Sequence, residues 1–317
     1  MRAVFLDRST INQDINFDTI EQSVDNFSNF ASTSDDKIVT RAKFADIIIT
    51  NKVVISADVI AQLPKLKLIC ITATGTNNVD LQAAKQANVQ VCNVAGYSTA
   101  SVTQYVFAML LEYFQKTSQQ VEDIRAGEWQ KSSVFCHFAA PVEELAGRTM
   151  AIIGYGAIGQ SVANVAKAFG MKVLISERKG IESVRPGRVS FEQALAQADI
   201  ISLHSPLTPE TDNLINKNTI ELMKRSAVLV NTARGQLVNS KDLLTSLRSK
   251  RIAGAILDVL EQEPPAADHP LLQQSMQNLM ITAHIAWGSL SAQQRLIDTI
   301  GTNIGNFKKG HLTNRVA

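Results

Sequence analysis

The chain has 317 residues, 45% of them apolar, and a formal net charge of +2, enough for two packed cores and unlike the clustered basic surface of a nucleic-acid binder. No apolar run approaches a membrane span, and the polar residues from Asp7 onward interrupt any signal-peptide core. Cys70, Cys92 and Cys136 are odd in number and lack metal-ligand spacing, so no metal site is expected and they read as reduced thiols of a cytoplasmic protein.

In chain order, residues 3–6 form a first apolar strand and residues 18–24 a helix. The runs 45–50 (ADIIIT), 66–73 (LKLICITA) and 89–94 (VQVCNV) are further buried strands, with helical stretches at 57–62 and 79–86 between them. Strand and helix alternate, so this part is itself a small parallel α/β unit. Its polar loop 74–78 (TGTNN) follows the carboxyl end of a strand, where open α/β sheets place ligands, although an ordinary turn would carry the same residues. Residues 101–125 contain no Pro or Gly and predict one long helix bridging two domains. An irregular segment follows, in which Trp129 and Phe135 are expected to pack against the next domain or a second subunit.

The next stretch, 149–177, holds a short apolar strand at 150–153 and then Gly154, Gly156 and Gly159 in G-x-G-x-x-G spacing. The first glycine permits a tight turn, the second lets backbone approach a pyrophosphate, and the third lets helix pack on strand. Ala157 and Ile158 open the helix, which carries Val162, Val165, Ala166 and Phe169 at helical spacing before Gly170. Its N-terminal N–H groups and positive dipole end are suited to a diphosphate. Glu177, 21 residues beyond Gly156, falls where such sites hold the carboxylate that binds a ribose 2′-OH. This stretch reads as a dinucleotide site.

Beyond it, strands are predicted at 199–204, 227–233, 252–259 and 280–283, with helices at 218–225 and 240–250. Their carboxyl ends carry His204 and Ser205; Thr232, Ala233 and Arg234; Asp258, Glu261 and Glu263; and His284. Parallel strands share one carboxyl edge, so these residues should converge on the glycine turn. The helical stretch 289–308 is expected to return to the first domain. The fold class is thus α/β, two Rossmann-like parallel-sheet domains: a discontinuous substrate domain, 1–100 plus 288–317, and a dinucleotide-binding domain, 101–287.

Hydride chemistry on a 2-keto acid needs a cation for the carboxylate and carbonyl and a proton donor for the nascent hydroxyl. Arg234 suits the first role, because a guanidinium binds two oxygens at once. His284 suits the second, with Glu263 placed to favour its charged form. Singly, each has a plain structural explanation; together at the cofactor edge they form a candidate catalytic set.

GYGAIG, HSPLTPET, NTARGQLV, LDVLEQEPP and TAHIAWGS, in this order over almost the whole chain, resemble the D-isomer-specific 2-hydroxyacid dehydrogenase family. The resemblance implies Arg234, Glu263 and His284 as catalytic residues, with backbone amides at Thr74 and Gly75, besides Arg234 and His284, binding substrate. It places Asp258 near the nicotinamide carboxamide and His204, Ser205 and Pro206 along the adenosine side. With Gly154, Gly156, Ala157, Ile158, Gly159, Glu177, Thr232, Ala233 and Gly288 these make up the expected NAD contacts. It also implies a homodimer. ATGTNNVD, NVAGYSTASV and GEWQKSSVFC are similar to the glycerate dehydrogenase (hydroxypyruvate reductase) branch.

The chain departs from the family pattern in two places. Glu177 stands where aspartate is commoner and is followed by Arg178 and Lys179, so the carboxylate favours NAD while its neighbours could attract the 2′-phosphate of NADP. Thr103-Gln104 replaces the common Ala-Glu on the nicotinamide side. Glu263, an acid, disfavours the formate-oxidising branch. The expected activity is interconversion of D-glycerate and hydroxypyruvate, with D-lactate and pyruvate or a broader 2-keto acid range as alternatives. An NAD(H)-sensing, corepressor-like interaction protein is the alternative from another class.

Overall fold

In the computed structural model, which describes residues 1–273 and 275–317, the chain forms two compact units, residues 1–98 with 288–317 and residues 99–287. Each is built on a parallel sheet.

In the first unit, β1 (Arg2–Phe5), β2 (Asn26–Asn29), β3 (Ile47–Thr50), β4 (Leu68–Ile71) and β5 (Gln90–Cys92) run in the order β2-β1-β3-β4-β5. The sequences IIIT and LICI of β3 and β4 are buried throughout, as expected of interior parallel strands. β2 is not visible in the sequence pattern, because its NFSN run is a mostly exposed edge strand that needs no apolar face. Helix α1 (Asp18–Glu21) is shorter than its predicted stretch, and α2 (Ile38–Ala42) lies outside every predicted one. Helices α3 (Ala57–Ala61) and α4 (Leu81–Gln86) start at Ser56 and Asp80, whose side chains accept the N–H of Val59 and Ala83.

The C-terminal helix Leu290–Lys308 belongs to this unit. A Cβ on its Gly301 would lie 2.6 Å from the Thr19 backbone, so glycine is what lets this helix meet α1. The Asn12 N–H donates to Gln293 Oε1 at 2.7 Å, and the tail adds to the β5 edge, with the Val316 N–H on the Val91 carbonyl at 2.8 Å. The discontinuous chain is thereby closed.

After β1, the buried Asp7 carboxylate accepts the N–H groups of Asn51 (2.9 Å), Lys52 (2.6 Å) and Val53 (3.1 Å), holding the loop that leaves β3.

In the second unit, the stretch predicted as one helix is two, α5 (Thr99–Gln115) and α6 (Thr117–Arg125). Lys116 between them is left-handed, φ 52°. The Glu112 carboxylate accepts the Thr117 hydroxyl and the Ser118 N–H, taking over from the helical ladder where it breaks. In the irregular segment that follows, Trp129 donates to the Phe135 carbonyl at 3.1 Å. Of the two expected packings, against the next domain or against a second subunit, the first is not seen: Trp129 is 50% and Phe135 90% exposed.

The sheet of this unit contains β6 (Thr149–Ile153), β7 (Lys172–Ile175), β8 (Ile200–Leu203), β9 (Val228–Asn231), β10 (Gly254–Leu257) and β11 (Leu279–Ile281), in the order β11-β10-β9-β8-β6-β7. Side chains alternate between two cores: Ala151 and Ile153 face one way, Met150 and Ile152 the other. The first core is shared with α8 (Phe191–Gln197), α9 (Lys217–Ile220) and α10 (Ser240–Arg248), the second with α5 and α7 (Ala157–Ala168). Helix α8 is outside every predicted stretch, although the capping box of Ser190 and Gln193 marks its start. The predicted helix at 218–225 is the single turn of α9. The chain leaves β6 toward β7 and then crosses to β8 on the other side, so the topological switch lies at the carboxyl end of β6, where such sheets bind ligands.

Replacing Asp7 with Ala leaves three buried or half-buried amides of the 51–53 loop without their acceptor. The expected loss of stability is about 2–3 kcal/mol, measured by urea unfolding; a loss under about 0.5 kcal/mol would show that the carboxylate does not hold this loop.

Candidate active site

The three motif glycines meet three different surroundings. Gly154 has φ +96°, and a Cβ there would lie 2.6 Å from both the His204 carbonyl carbon and the Ser205 nitrogen. A Cβ on Gly159 would lie 2.1 Å from the Gly154 carbonyl oxygen, so helix and turn touch backbone to backbone. Gly156 has nothing within 4 Å of a built Cβ. It is the N-cap of α7 with no side-chain cap, which leaves the first-turn amides of Ala157 and Ile158 beside an open, uncapped helix end suited to an anion.

The neighbouring strand end closes on this turn. The His204 N–H donates to the Ile153 carbonyl at 2.7 Å and the Ser205 hydroxyl to the same oxygen at 3.2 Å. The Pro206 carbonyl accepts the Thr211 hydroxyl at 2.8 Å. Burial lowers the His204 imidazole to about 4, so at neutral pH it is uncharged and shares a 2.8 Å hydrogen bond with Ser202 Oγ. Glu177, buried at the end of β7, meets Arg185, whose Nε lies 2.6 Å from Oε2 and whose Nη2 lies 2.5 Å from Oε1.

At the other end of the edge, Asn231 shapes the turn bearing Thr232, Ala233 and Arg234. Its Oδ1 accepts the Ala233 N–H at 3.0 Å and its Nδ2 donates to the Arg234 carbonyl at 2.8 Å. A Cβ on Gly235 would lie 1.9 Å from the Leu260 carbonyl carbon, so this turn abuts the loop leaving β10. In that loop Glu263 Oε1 accepts the Leu260 N–H at 3.0 Å, and Oε2 lies 2.6 Å from His284 Nδ1. Arg234, Glu263 and His284 thus stand on loops that touch in sequence.

His284 itself has φ 55°, uncommon for a residue with a Cβ and a mark of a functionally constrained turn. Asp258 imposes it. Its carbonyl accepts the His284 N–H at 2.7 Å, Oδ1 accepts the Thr282 hydroxyl at 2.8 Å and the Ile285 N–H at 2.9 Å, and Oδ2 accepts the Ala286 N–H at 2.9 Å. The Ser101 hydroxyl of α5 holds the Ala286 carbonyl at 2.8 Å. The family resemblance implies a place for Asp258 near the nicotinamide but not this bracing of the histidine turn, whose one local sign is an aspartate flanked by apolar runs.

The D-isomer specific 2-hydroxyacid dehydrogenase NAD binding domain model matches residues 107–286. A glycerate dehydrogenase of Methylorubrum extorquens is 40% identical over 99% of this chain and 98% of its own length. A putative 2-hydroxyacid dehydrogenase of Haemophilus influenzae is 40% identical over 97% of this chain and 98% of its own. The solved structure of a D-2-hydroxyisocaproate dehydrogenase superposes with a TM-score of 0.80 at 26% identity, covering 100% of this chain and 99% of the other. The chain belongs to the D-isomer specific 2-hydroxyacid dehydrogenase family.

The second unit therefore contains the NAD binding domain of this dehydrogenase family, and its residues fit the cofactor. Gly156 leaves open the space a pyrophosphate needs, the first turn of α7 offers uncapped amides, and the buried Thr232 hydroxyl has no hydrogen-bond partner among the described residues. The Thr103 hydroxyl on α5 is orphaned in the same way. In the first unit, the loop after β4 is braced by the Thr74 hydroxyl on the Val94 carbonyl (3.0 Å) and by Asn93 Nδ2 on the Thr74 carbonyl (2.6 Å), with Gly75 following. The Gly288 carbonyl accepts Gln293 Nε2 at 2.6 Å, at the start of the returning segment. No helix among the described residues is long and apolar enough to cross a membrane, and no group of three or more His, Cys, Asp or Glu among them is arranged to hold a metal.

Two glycine substitutions should separate fold from binding. Gly156→Ala adds a methyl group to open space at an ordinary φ of −81°, so the thermal midpoint should stay within a few degrees while NADH affinity falls at least about tenfold. Gly159→Ala drives a Cβ into the Gly154 carbonyl and should cost about 2 kcal/mol or more of stability. Calorimetry and NADH titration of both variants check this, and equal destabilisation would refute it.

Proposed function

We propose that the chain interconverts D-glycerate and hydroxypyruvate, with NAD(H) as redox partner. The observation that carries this reading is the 2.6 Å contact between His284 Nδ1 and Glu263 Oε2, together with the glycerate dehydrogenase name of a full-length relative. Glu263 accepts from Nδ1 and orients the ring, which assigns Nε2 to the substrate oxygen. In the direction of reduction His284 gives its proton to the keto oxygen; in oxidation it takes the hydroxyl proton back. NAD(H), when bound, supplies or receives the hydride at substrate C2. Arg234 binds the substrate carboxylate and polarises the carbonyl with its fork of N–H donors. The amides of Thr74 and Gly75 are assigned to the substrate carboxylate on the family resemblance.

NADH oxidation should be followed against hydroxypyruvate, glyoxylate, pyruvate and bulkier 2-keto acids. Hydroxypyruvate should give the highest kcat/KM, and His284→Ala should lower turnover about 10²–10⁴-fold in both directions. Arg234→Lys should lose at least about hundredfold in kcat/KM, since an ammonium cannot make two parallel contacts. NADH binding without turnover on any keto acid would favour the corepressor-like sensor instead, and near-normal kcat/KM in Arg234→Lys would remove that residue from the reaction.

A homodimer and a cytoplasmic location are part of the same proposal. Trp129, Val134, Phe135 and Phe138 are exposed within one short segment, an apolar concentration that a lone subunit would leave in water. Phe135→Ser should weaken self-association at least about tenfold in sedimentation equilibrium. A wild type that is monomeric at micromolar concentration would rule the dimer out.

A further inference from the structure

A carboxylate at the end of the second strand of a dinucleotide site selects NAD by binding the ribose hydroxyls and repelling a 2′-phosphate. Both actions require its charge and its oxygens. In this chain neither is at the disposal of Glu177 alone. Arg185 grips it bidentately at 2.6 and 2.5 Å, the Arg178 N–H donates to Oε1 at 2.9 Å, and Arg188 Nη1 stands 4.0 Å from the same oxygen. The geometry is built. A bridge between Ser176 and Val189 and the Glu177 N–H on the Val189 carbonyl at 2.8 Å fold the intervening loop back, so that both arginines reach the strand end.

The charges around the pair point the same way. Residues 177–188 carry Arg178, Lys179, Arg185 and Arg188 against Glu177 and Glu182, a net +2 from four cations and two carboxylates. Glu210, on the loop that follows β8, also feels Arg178 and so offsets part of that charge. Glu177 is 2% exposed and Arg185 55% exposed, so the pair turns its cationic partner outward. The hydrogen bonds from Arg185 and the Arg178 amide hold the Glu177 carboxyl at about 2, which keeps it ionised and the pair closed throughout the neutral range.

We propose that Arg185 is a specificity-determining residue: by neutralising Glu177 it removes the repulsion that would exclude a 2′-phosphate, so the site binds NADP(H) as well as NAD(H). This rests on the assignment of the second unit as the NAD site. A phosphate at the 2′ position would meet the exposed guanidinium of Arg185 and its basic neighbours.

Equilibrium titration of nucleotide-free protein with NADH and NADPH, read by nicotinamide fluorescence, tests this without turnover. The wild-type Kd for NADPH should lie within about tenfold of that for NADH, and in Arg185→Ala the NADPH/NADH ratio should rise at least about tenfold, because Glu177 then stands largely uncompensated. Adding Glu177→Gln to Arg185→Ala should bring the ratio back down, a reversal that general damage to the loop would not produce. A wild-type ratio above about tenfold, or a ratio that Arg185→Ala leaves in place, overturns the role of Arg185. Failure of the wild type to bind NADH at all would instead overturn the cofactor assignment on which this rests.

Discussion

Three donors on one carboxylate hold the His284 turn in place. Asp258 follows β10, is almost completely buried, and receives the Thr282 hydroxyl and the Ile285 and Ala286 amides, while its own carbonyl takes the His284 N–H. A buried carboxylate without such donors would be costly, and so would the left-handed backbone of His284 without a surrounding that imposes it. Each cost is met by the other feature. The imidazole is thereby aimed by the end of one strand at the glutamate on the loop leaving another, and the proposed proton transfer depends on this brace although Asp258 moves no proton in it.

The second constraint is steric. Backbone segments at this edge approach more closely than any side chain permits: Gly154 against His204 and Ser205, Gly159 against the Gly154 carbonyl, Gly235 against Leu260 and Glu261. The glycines are therefore not interchangeable. Two of the three in G-x-G-x-x-G let protein meet protein, and Gly156 alone faces open space, which is where a cofactor phosphate can approach the helix end.

Charge at the end of β7 follows from a loop and not from the strand. Glu177 has the position of a ribose acid, yet its state is set by Arg185, eight residues further on and brought back by a bridge to Val189, and by the amide of Arg178. The end of β7 thus presents a compensated carboxylate and a basic rim. His204, at the end of β8, is stripped of charge by burial.

Much of this was legible in the sequence. Interior parallel strands are buried on both faces, so IIIT, LICI, MAII and VLVN announced themselves as apolar runs, and the shared carboxyl edge of such strands placed Arg234, Glu263 and His284 on neighbouring loops. What local pattern could not carry was decided by tertiary contact. The polar edge strand Asn26–Asn29 exists because β1 offers it a ladder, and the break at Lys116 exists because Glu112 caps the second helix. Trp129 and Phe135 are apolar but exposed, since burial of a side chain depends on what lies across from it and not on its own hydrophobicity. The bracing by Asp258 and the capture of Glu177 by Arg185 are interactions between groups far enough apart in sequence that only the folded chain selects the partners. Residue type set what chemistry was possible at each strand end; packing chose which groups face one another, because hydrogen bonds and ion pairs act over a few ångströms and the sequence alone does not supply those distances.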